Sequence, residues 1–285
     1  MKRVVVTGAG GYVGGALVAG LRKMEIPVIE FRRTAATGES WVQAFRLGET
    51  PPPGSFDEVE TLVHCAYDFS AHGWDAIAAV NVEGTRRLFA AAAEAGVKRL
   101  ILVSTISAYP GCRSLYGKAK LAMEAAVAPY RTVVVRPGLV FGDRPGGMMA
   151  ALNKLVSLPG IVPMVGDGHY PLYLAHEDDL RRLLILLATR SSGLEGQPFV
   201  AAYERPYTLR EIMVALARVR NRQVRFLPVP AGLIDLGLNL VESVGLRPRL
   251  RRDSLVSLLN PDPSPDFAPL TGLGIGFRPF LPSVD

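Results

Sequence analysis

The chain alternates short apolar runs with longer amphipathic stretches. Val4, Val5 and Val6 form a β-branched run suited to a buried parallel strand, and residues 16–23 then read as a helix. Further strands are predicted at 28–31, 61–65, 100–103 and 132–135. Between them, residues 76–95 and 116–128 carry helical periodicity, with Gly96 as the stop of the first. Repeated strand–helix units with short links predict an α/β fold built on a doubly wound parallel sheet. In such a sheet, ligands bind at the carboxyl ends of the strands.

The pattern loosens after about residue 145. Helices are expected at 148–158, 178–188 and 208–219, with a turn at 166–170. Residues 34–56, with three consecutive prolines, read as an irregular surface excursion, and 260–285 lack a strong period. The segment 232–245 is apolar enough to face a partner or a membrane, but packing on its own domain is the favoured reading. The organisation expected is a nucleotide-binding unit over 1–145, completed by about 170–202. Residues 146–169 and 203–285 would then form a smaller C-terminal substrate lobe.

Composition adds limits. With 49% hydrophobic and 20% charged residues, 285 residues can bury a full core. No apolar run approaches the roughly 18 residues of a membrane span, and the N-terminus does not read as a signal peptide. Two cysteines make no disulfide framework, so a cytoplasmic home is expected. The four histidines and two cysteines show no metal-ligand spacing, and no metal is expected. The net charge of +6 is largely arginine. It reads as a solvated surface in preference to a phosphate site, and no recognised module supports nucleic-acid binding.

Two motifs carry chemistry. The run from Thr7 to Gly14, between strand and helix, places Gly8, Gly11 and Gly14 at G-x-x-G-x-x-G spacing. Glycines there let backbone approach a pyrophosphate at a helix N-terminus. Tyr116 and Lys120, four apart on a predicted helix, share a face. A phenol with a pKa of about 10 is a poor proton carrier near neutrality, and a neighbouring ammonium lowers that value.

These motifs resemble short-chain dehydrogenases/reductases, and most of all their extended and atypical branch of NAD-dependent epimerases and dehydratases. The likeness also rests on His64-Cys65-Ala66, Asn81 with Gly84 and Thr85, Ser104-Thr105, Arg136-Pro137-Gly138, and the stretch 176–180 with Asp178 and Asp179. It covers about the first 215 residues and implies a Rossmann-type fold. It implies Tyr116 as general acid/base on a substrate oxygen. Lys120 would bind the nicotinamide ribose and depress the tyrosine pKa, aided by the charge of an oxidised nicotinamide. Thr105 would hydrogen-bond the same substrate oxygen, with Ser104 as competitor. Cofactor contacts would come from Gly8, Gly11, Tyr12, Val13 and Gly14, from Cys65, Ala66 and Tyr67 through backbone, and from Pro137 and Gly138. A structural role is expected for Asn81, and a catalytic thiol at Cys65 is not.

The chain departs from the family pattern twice. Thr105 and Tyr116 are eleven residues apart where extended members usually have some two dozen, so a loop that often surrounds substrate is missing. At the end of the second strand, where NAD-binding members carry an acid, stand Arg32 and Arg33. Arginine suits a 2′-phosphate, so NADP is expected over NAD, with Glu30 as the counter-candidate. The expected function is hydride transfer at a carbinol or carbonyl carbon of a small or nucleotide-sugar-like substrate. Reductase and epimerase both stay open, while Ile106 and Ser107 after Thr105 argue against dehydration. The alternative is a catalytically silent NAD(P)-binding sensor or assembly protein. A homodimer through the tyrosine helix would follow family habit.

Overall fold

A computed structural model describes residues 3–34, 41–143, 146–190, 193–243 and 251–280, with the side chains of 241–243 excepted. The main sheet has seven strands in the order β11-β6-β5-β4-β1-β2-β3, every pair parallel. They are β1 (Arg3–Thr7), β2 (Val28–Arg32), β3 (Val42–Ala44), β4 (Val59–His64), β5 (Arg99–Val103), β6 (Val133–Pro137) and β11 (Phe199–Ala201). The order reverses direction at β1, between β2 and β4, and this is the crevice where such sheets receive ligands. The fold is the Rossmann-type α/β sandwich that the strand–helix alternation predicts.

Side-chain alternation on β1 distributes the valine run between two cores. Val4 and Val6 meet Leu17, Leu21, Leu183 and Leu187 of α1 (Tyr12–Lys23) and α6 (Glu177–Thr189). Val5 faces the other way, towards Leu88, Phe89 and Met123 of α3 (Glu83–Glu94) and α4 (Leu115–Val127). Several of these side chains are wholly inaccessible, and each contributes about 1.5–3 kcal/mol by burial.

A third core lies outside the sheet. It gathers Phe141 of β7 (Leu139–Phe141), Met149 and Leu152 of α5 (Gly147–Ser157), and Met164 of β8 (Ile161–Val165). Ile212 and Leu216 of α7 (Leu209–Arg218), Leu255 and Leu258 of α9 (Arg252–Leu259), and Phe280 complete it. Three two-stranded pairs brace this region. β7 runs with β10 (Leu174–His176), β8 with β13 (Arg225–Val229), and β9 (Pro171–Leu172) against β12 (Tyr207–Thr208). Asp179, buried at the start of α6, ties the C-terminal tail down by accepting from the backbone N–H and the guanidinium of Arg278, and from Arg182. α10 (Ala268–Thr271) is the last helix among the described residues.

Two sequence expectations need correction and two gain detail. The excursion 34–56 contains an edge strand, β3, paired with β2. The helix expected over 76–95 is broken into α2 (Trp74–Ile77), a π-helical turn (Ala78–Val82) and α3. The tail is anchored by Asp179, by α10, and by the Phe280 ring packed edge-on to Phe141. Finally, α8 (Ala231–Ser243) packs only in part: Ile234 and Leu238 meet the third core, whereas Leu233, Leu236 and Leu240 are exposed. Residues 244 and 245 of that predicted segment lie outside the described residues.

Candidate active site

At the first strand–helix turn, close packing explains two glycines. Gly8 has φ +65, and a Cβ there would lie 2.8 Å from the Ala66 nitrogen. A Cβ on Gly14 would lie 2.3 Å from the Gly8 carbonyl oxygen. Gly11 occupies the N-cap of α1 with no side chain to satisfy the helix amides, and no acid stands in the first turn. Gly10, by contrast, has nothing within 4 Å of its Cβ position. A bare helix N-terminus behind a tight glycine turn accepts phosphate oxygens. Tyr12 and Val13 open α1. The Tyr12 hydroxyl is buried without an aligned hydrogen bond. Burial first, and the nearby Glu177 carboxylate second, hold its pKa above the ordinary phenol value.

The end of β4 is fixed by polar groups inside the core. His64 Nδ1 is 2.6 Å from Thr7 Oγ1, and its Nε2 is 3.1 Å from Thr85 Oγ1. Burial, with the Lys120 charge adding to it, holds His64 down to about 3, so the ring is neutral and structural. Cys65 follows, its backbone N–H donating to the Thr7 carbonyl. Burial pushes the Cys65 thiol up to about 12 against the opposing pull of Lys120, leaving it protonated. Asn81, in the π-helical turn, clamps the next loop. It accepts from the Asp68 N–H at 2.7 Å and donates to the Asp68 carbonyl at 3.1 Å. That loop carries Tyr67 and Phe69.

Ser104 and Thr105, at the end of β5, diverge. The buried Ser104 hydroxyl donates to Glu124 Oε1, and Arg136 clasps the same carboxylate through Nε at 3.0 Å and Nη2 at 2.6 Å. Thr105 accepts from the Ser107 N–H at 3.3 Å, and its hydroxyl stands near enough to the Tyr116 phenol to pull that pKa down. Gly117 makes this approach possible: a Cβ on it would lie 2.4 Å from the Ser107 carbonyl oxygen. Sequence reasoning missed this glycine. Lys120, one turn beyond Tyr116, is buried and donates to the Val103 carbonyl at 2.8 Å. Burial lowers the Lys120 ammonium to about 8, although Cys65 and Glu124 favour its charge. Pro137 accepts from the Ile106 N–H, and Gly138 lies so near Tyr173 that a Cβ would be 2.3 Å from its carbonyl oxygen.

Aromatic rings wall the phenol. Tyr67 meets Tyr116 edge-on at 4.9 Å, and Phe69 stacks on it at 5.7 Å. Burial pushes Tyr116 up to about 12; the Thr105 hydroxyl pulls it down and the Asp253 carboxylate pushes it further up. Asp253 accepts from the N–H groups of Leu115 and Tyr116, at 2.7 and 2.8 Å. Nearby, Arg251 lies over the Phe69 ring at 4.7 Å and donates to the Phe69 carbonyl at 3.0 Å. Neither contact has a local sign in the sequence.

At the end of β2, Glu30 is fully buried and bridges two arginines, with Arg22 Nη2 and Arg32 Nη2 each 2.5 Å from its oxygens. Arg32 is therefore held by a carboxylate, while Arg33 is exposed. The charge of Arg33 is among the influences lowering the Asp68 pKa, after hydrogen bonds from Ser70. Among the described residues, no helix is long and apolar enough to cross a membrane.

Known proteins share this plan. The solved structure of MoeE5 in complex with UDP-glucose and NAD superposes with a TM-score of 0.69 at 22% identity, covering 80% of this chain and 86% of that one. The epimerase family protein ML0860 of Mycobacterium leprae is 28% identical over 249 residues, 77% of this chain and 78% of the relative. A Stigmatella aurantiaca protein named 4-hydroxy-2-methyl-3-oxo-4-farnesyl-3,4-dihydroquinoline-1-oxide ketoreductase is 25% identical over 289 aligned positions, 89% of this chain and 84% of the relative. Residues 4–202 match the profile of the NAD dependent epimerase/dehydratase family, to which this chain belongs.

Proposed function

We propose that this protein is an NADP(H)-dependent oxidoreductase acting at a carbonyl or carbinol carbon, with Tyr116 as the proton carrier. One observation carries the reading: the Thr105 hydroxyl is close enough to act on the Tyr116 phenol, and Lys120 stands one helical turn away on the same helix. Two hydroxyls that converge can both bond one substrate oxygen, and Tyr116 can pass its proton to that oxygen or take one from it. Thr105 orients the oxygen. The Lys120 ammonium has three donors, of which one holds Val103, leaving two for ribose hydroxyls. The dinucleotide fits the bare amides of Tyr12, Val13 and Gly14 behind Gly8 and Gly11, with backbone at Cys65, Ala66, Tyr67, Pro137 and Gly138 beside it. Arg33, assisted by Arg32, suits a 2′-phosphate. When bound, the nicotinamide supplies or receives the hydride.

On the substrate side, the rings of Tyr67 and Phe69 favour a carbonyl compound with an apolar body over a nucleotide sugar. The relative named as a ketoreductase of a farnesylated quinoline agrees with that choice. We assign the smaller lobe of residues 146–169 and 203–285, which the third core holds together, to the substrate. Two free cysteines suit a cytoplasmic protein. The test is NADPH oxidation across a panel of ketones: turnover abolished in Tyr116→Phe with NADPH affinity kept supports the reading, and unchanged turnover in that variant sinks it.

The second reading is a cofactor-binding sensor without turnover. It is favoured by the cover of Tyr67, Phe69 and Arg251 over the phenol. Tight NADP(H) binding with no turnover across the panel would select it.

A further inference from the structure

The helix that carries Tyr116 begins with unsatisfied backbone donors, as every helix does. Ser114 Oγ accepts from Gly117 N–H at 3.1 Å, the ordinary cap from within the helix. The N–H groups of Leu115 and Tyr116 are taken instead by the two oxygens of Asp253, from 137 and 138 residues away in the chain. Asp253 lies in the first turn of α9, yet its carboxylate caps α4 across the gap between them. α9 itself is seated in the third core through Leu255 and Leu258. Two residues earlier, Arg251 holds Phe69, whose ring stacks on Tyr116. One short segment thus grips the tyrosine through its backbone and through its ring neighbour.

We infer that Asp253 is a positioning residue for Tyr116, tying the C-terminal lobe to the tyrosine helix and keeping a negative charge beside the phenol. The inference rests on the function proposed above. The charged and titratable groups around the phenol are Asp253 on α9, Lys120 on α4, Tyr67 on the loop after β4, and Arg251 just before α9, with the Thr105 hydroxyl after β5. Thr105 favours phenolate and Asp253 opposes it, whereas Lys120, against the expectation from the sequence, is not among the groups that shift this phenol. A phenol kept protonated at neutral pH is ready to donate, which is the direction that carbonyl reduction requires.

The test compares wild type with Asp253→Asn, which keeps the size and one accepting oxygen but removes the charge, and with Asp253→Glu, which keeps the charge. Phenolate absorbance is titrated by rapid mixing from pH 8 to beyond the value of about 12 to which burial pushes Tyr116, each protein against its own Tyr116→Phe double so that only Tyr116 is read. The expected result is a Tyr116 titration moved down by about one pH unit in Asp253→Asn, restored in Asp253→Glu. The basic limb of kcat/KM for ketone reduction should move the same way, and thermal stability should fall only by the one capping hydrogen bond that the amide cannot accept. A Tyr116 titration unchanged in Asp253→Asn overturns the inference. Turnover that survives Tyr116→Phe would instead overturn the proposed function, and the absorbance titration would still decide the role of Asp253.

Discussion

Ser104 and Thr105 are neighbours that serve opposite sides of one strand end: Ser104 donates to Glu124 inside the protein, and the Thr105 hydroxyl acts on the Tyr116 phenol. Strand alternation requires such a split. Ser104→Ala should therefore act on stability. It removes a hydrogen bond to a charged group, worth roughly 1–3 kcal/mol, and should leave kcat/KM within a few fold. Thr105→Ala should lower kcat by about 100-fold or more while the melting temperature barely moves. Measuring both quantities in both variants checks the split; a Ser104→Ala enzyme as slow as Thr105→Ala would reverse the assignment.

Cofactor choice should depend on Arg33 more than on Arg32. Glu30 and Arg32 are two apart and share a strand face, where they pair with Arg22 as a third member. The Glu30 carboxylate thus holds Arg32 in place and leaves Arg33 as the exposed fork. Arg33→Ala should weaken NADP(H) by roughly 10- to 100-fold, the ~1.5–3 kcal/mol of a charged hydrogen bond, and leave NAD(H) unaffected. Fluorescence titration with both cofactors gives the answer. Tighter NAD(H) than NADP(H) binding in the wild type would remove the premise.

The parts of this fold that are local were legible in the sequence. The turn at Gly8, Gly11 and Gly14 lies within one strand–helix unit and shows in the spacing, although the need for glycine at Gly8 comes from Ala66 at the end of another strand. The Glu30–Arg32 pairing was not foreseen, although a two-residue strand period puts both on one face: strand-end matching drew attention to Arg32 and Arg33, with Glu30 as their rival. What escaped detection was set by distant chain. Asp253 lies 137 residues from Tyr116, and Gly117 matters because of the Ser107 carbonyl. The small strand pairs, two to five residues long, are too short to show a period. The π-helical turn exists where Asn81 reaches the Asp68 backbone, a need that no helical pattern in 76–95 displays.

His64 should make the protein acid-sensitive in a defined window. Its folded pKa, lowered to about 3 from 6.5, means that unfolding takes up a proton between those values. The stabilisation is complete above pH 6.5 and is lost as pH falls through 3. Over that range the loss should be on the order of 3–5 kcal/mol. Urea midpoints of wild type and His64→Gln, measured from pH 7 to 4, test this. The wild-type curve should fall more steeply, and parallel curves would show that the ring does not stay neutral.

Gly117 sets the approach of the tyrosine helix, and two opposing effects decide what happens when it is replaced. In a helix interior, alanine gains up to about 1 kcal/mol over glycine. Against this, the new Cβ would stand 2.4 Å from a backbone oxygen of Ser107 and 2.9 Å from Ser114 Oγ. Overpacking of that kind costs about 1–3 kcal/mol, and because the obstacle is backbone, α4 must shift. Gly117→Ala should therefore lose stability by roughly 1–2 kcal/mol. Moving the phenol away from Thr105 should also slow turnover by up to about 100-fold, as a displacement near 1 Å does in an active site. Gly10→Ala is the matched control, since open space surrounds that position and its φ is not positive. Chemical denaturation and kcat measured on both variants separate the cases: a Gly117→Ala protein as stable and as fast as Gly10→Ala would mean that the Ser107 contact does not position the tyrosine.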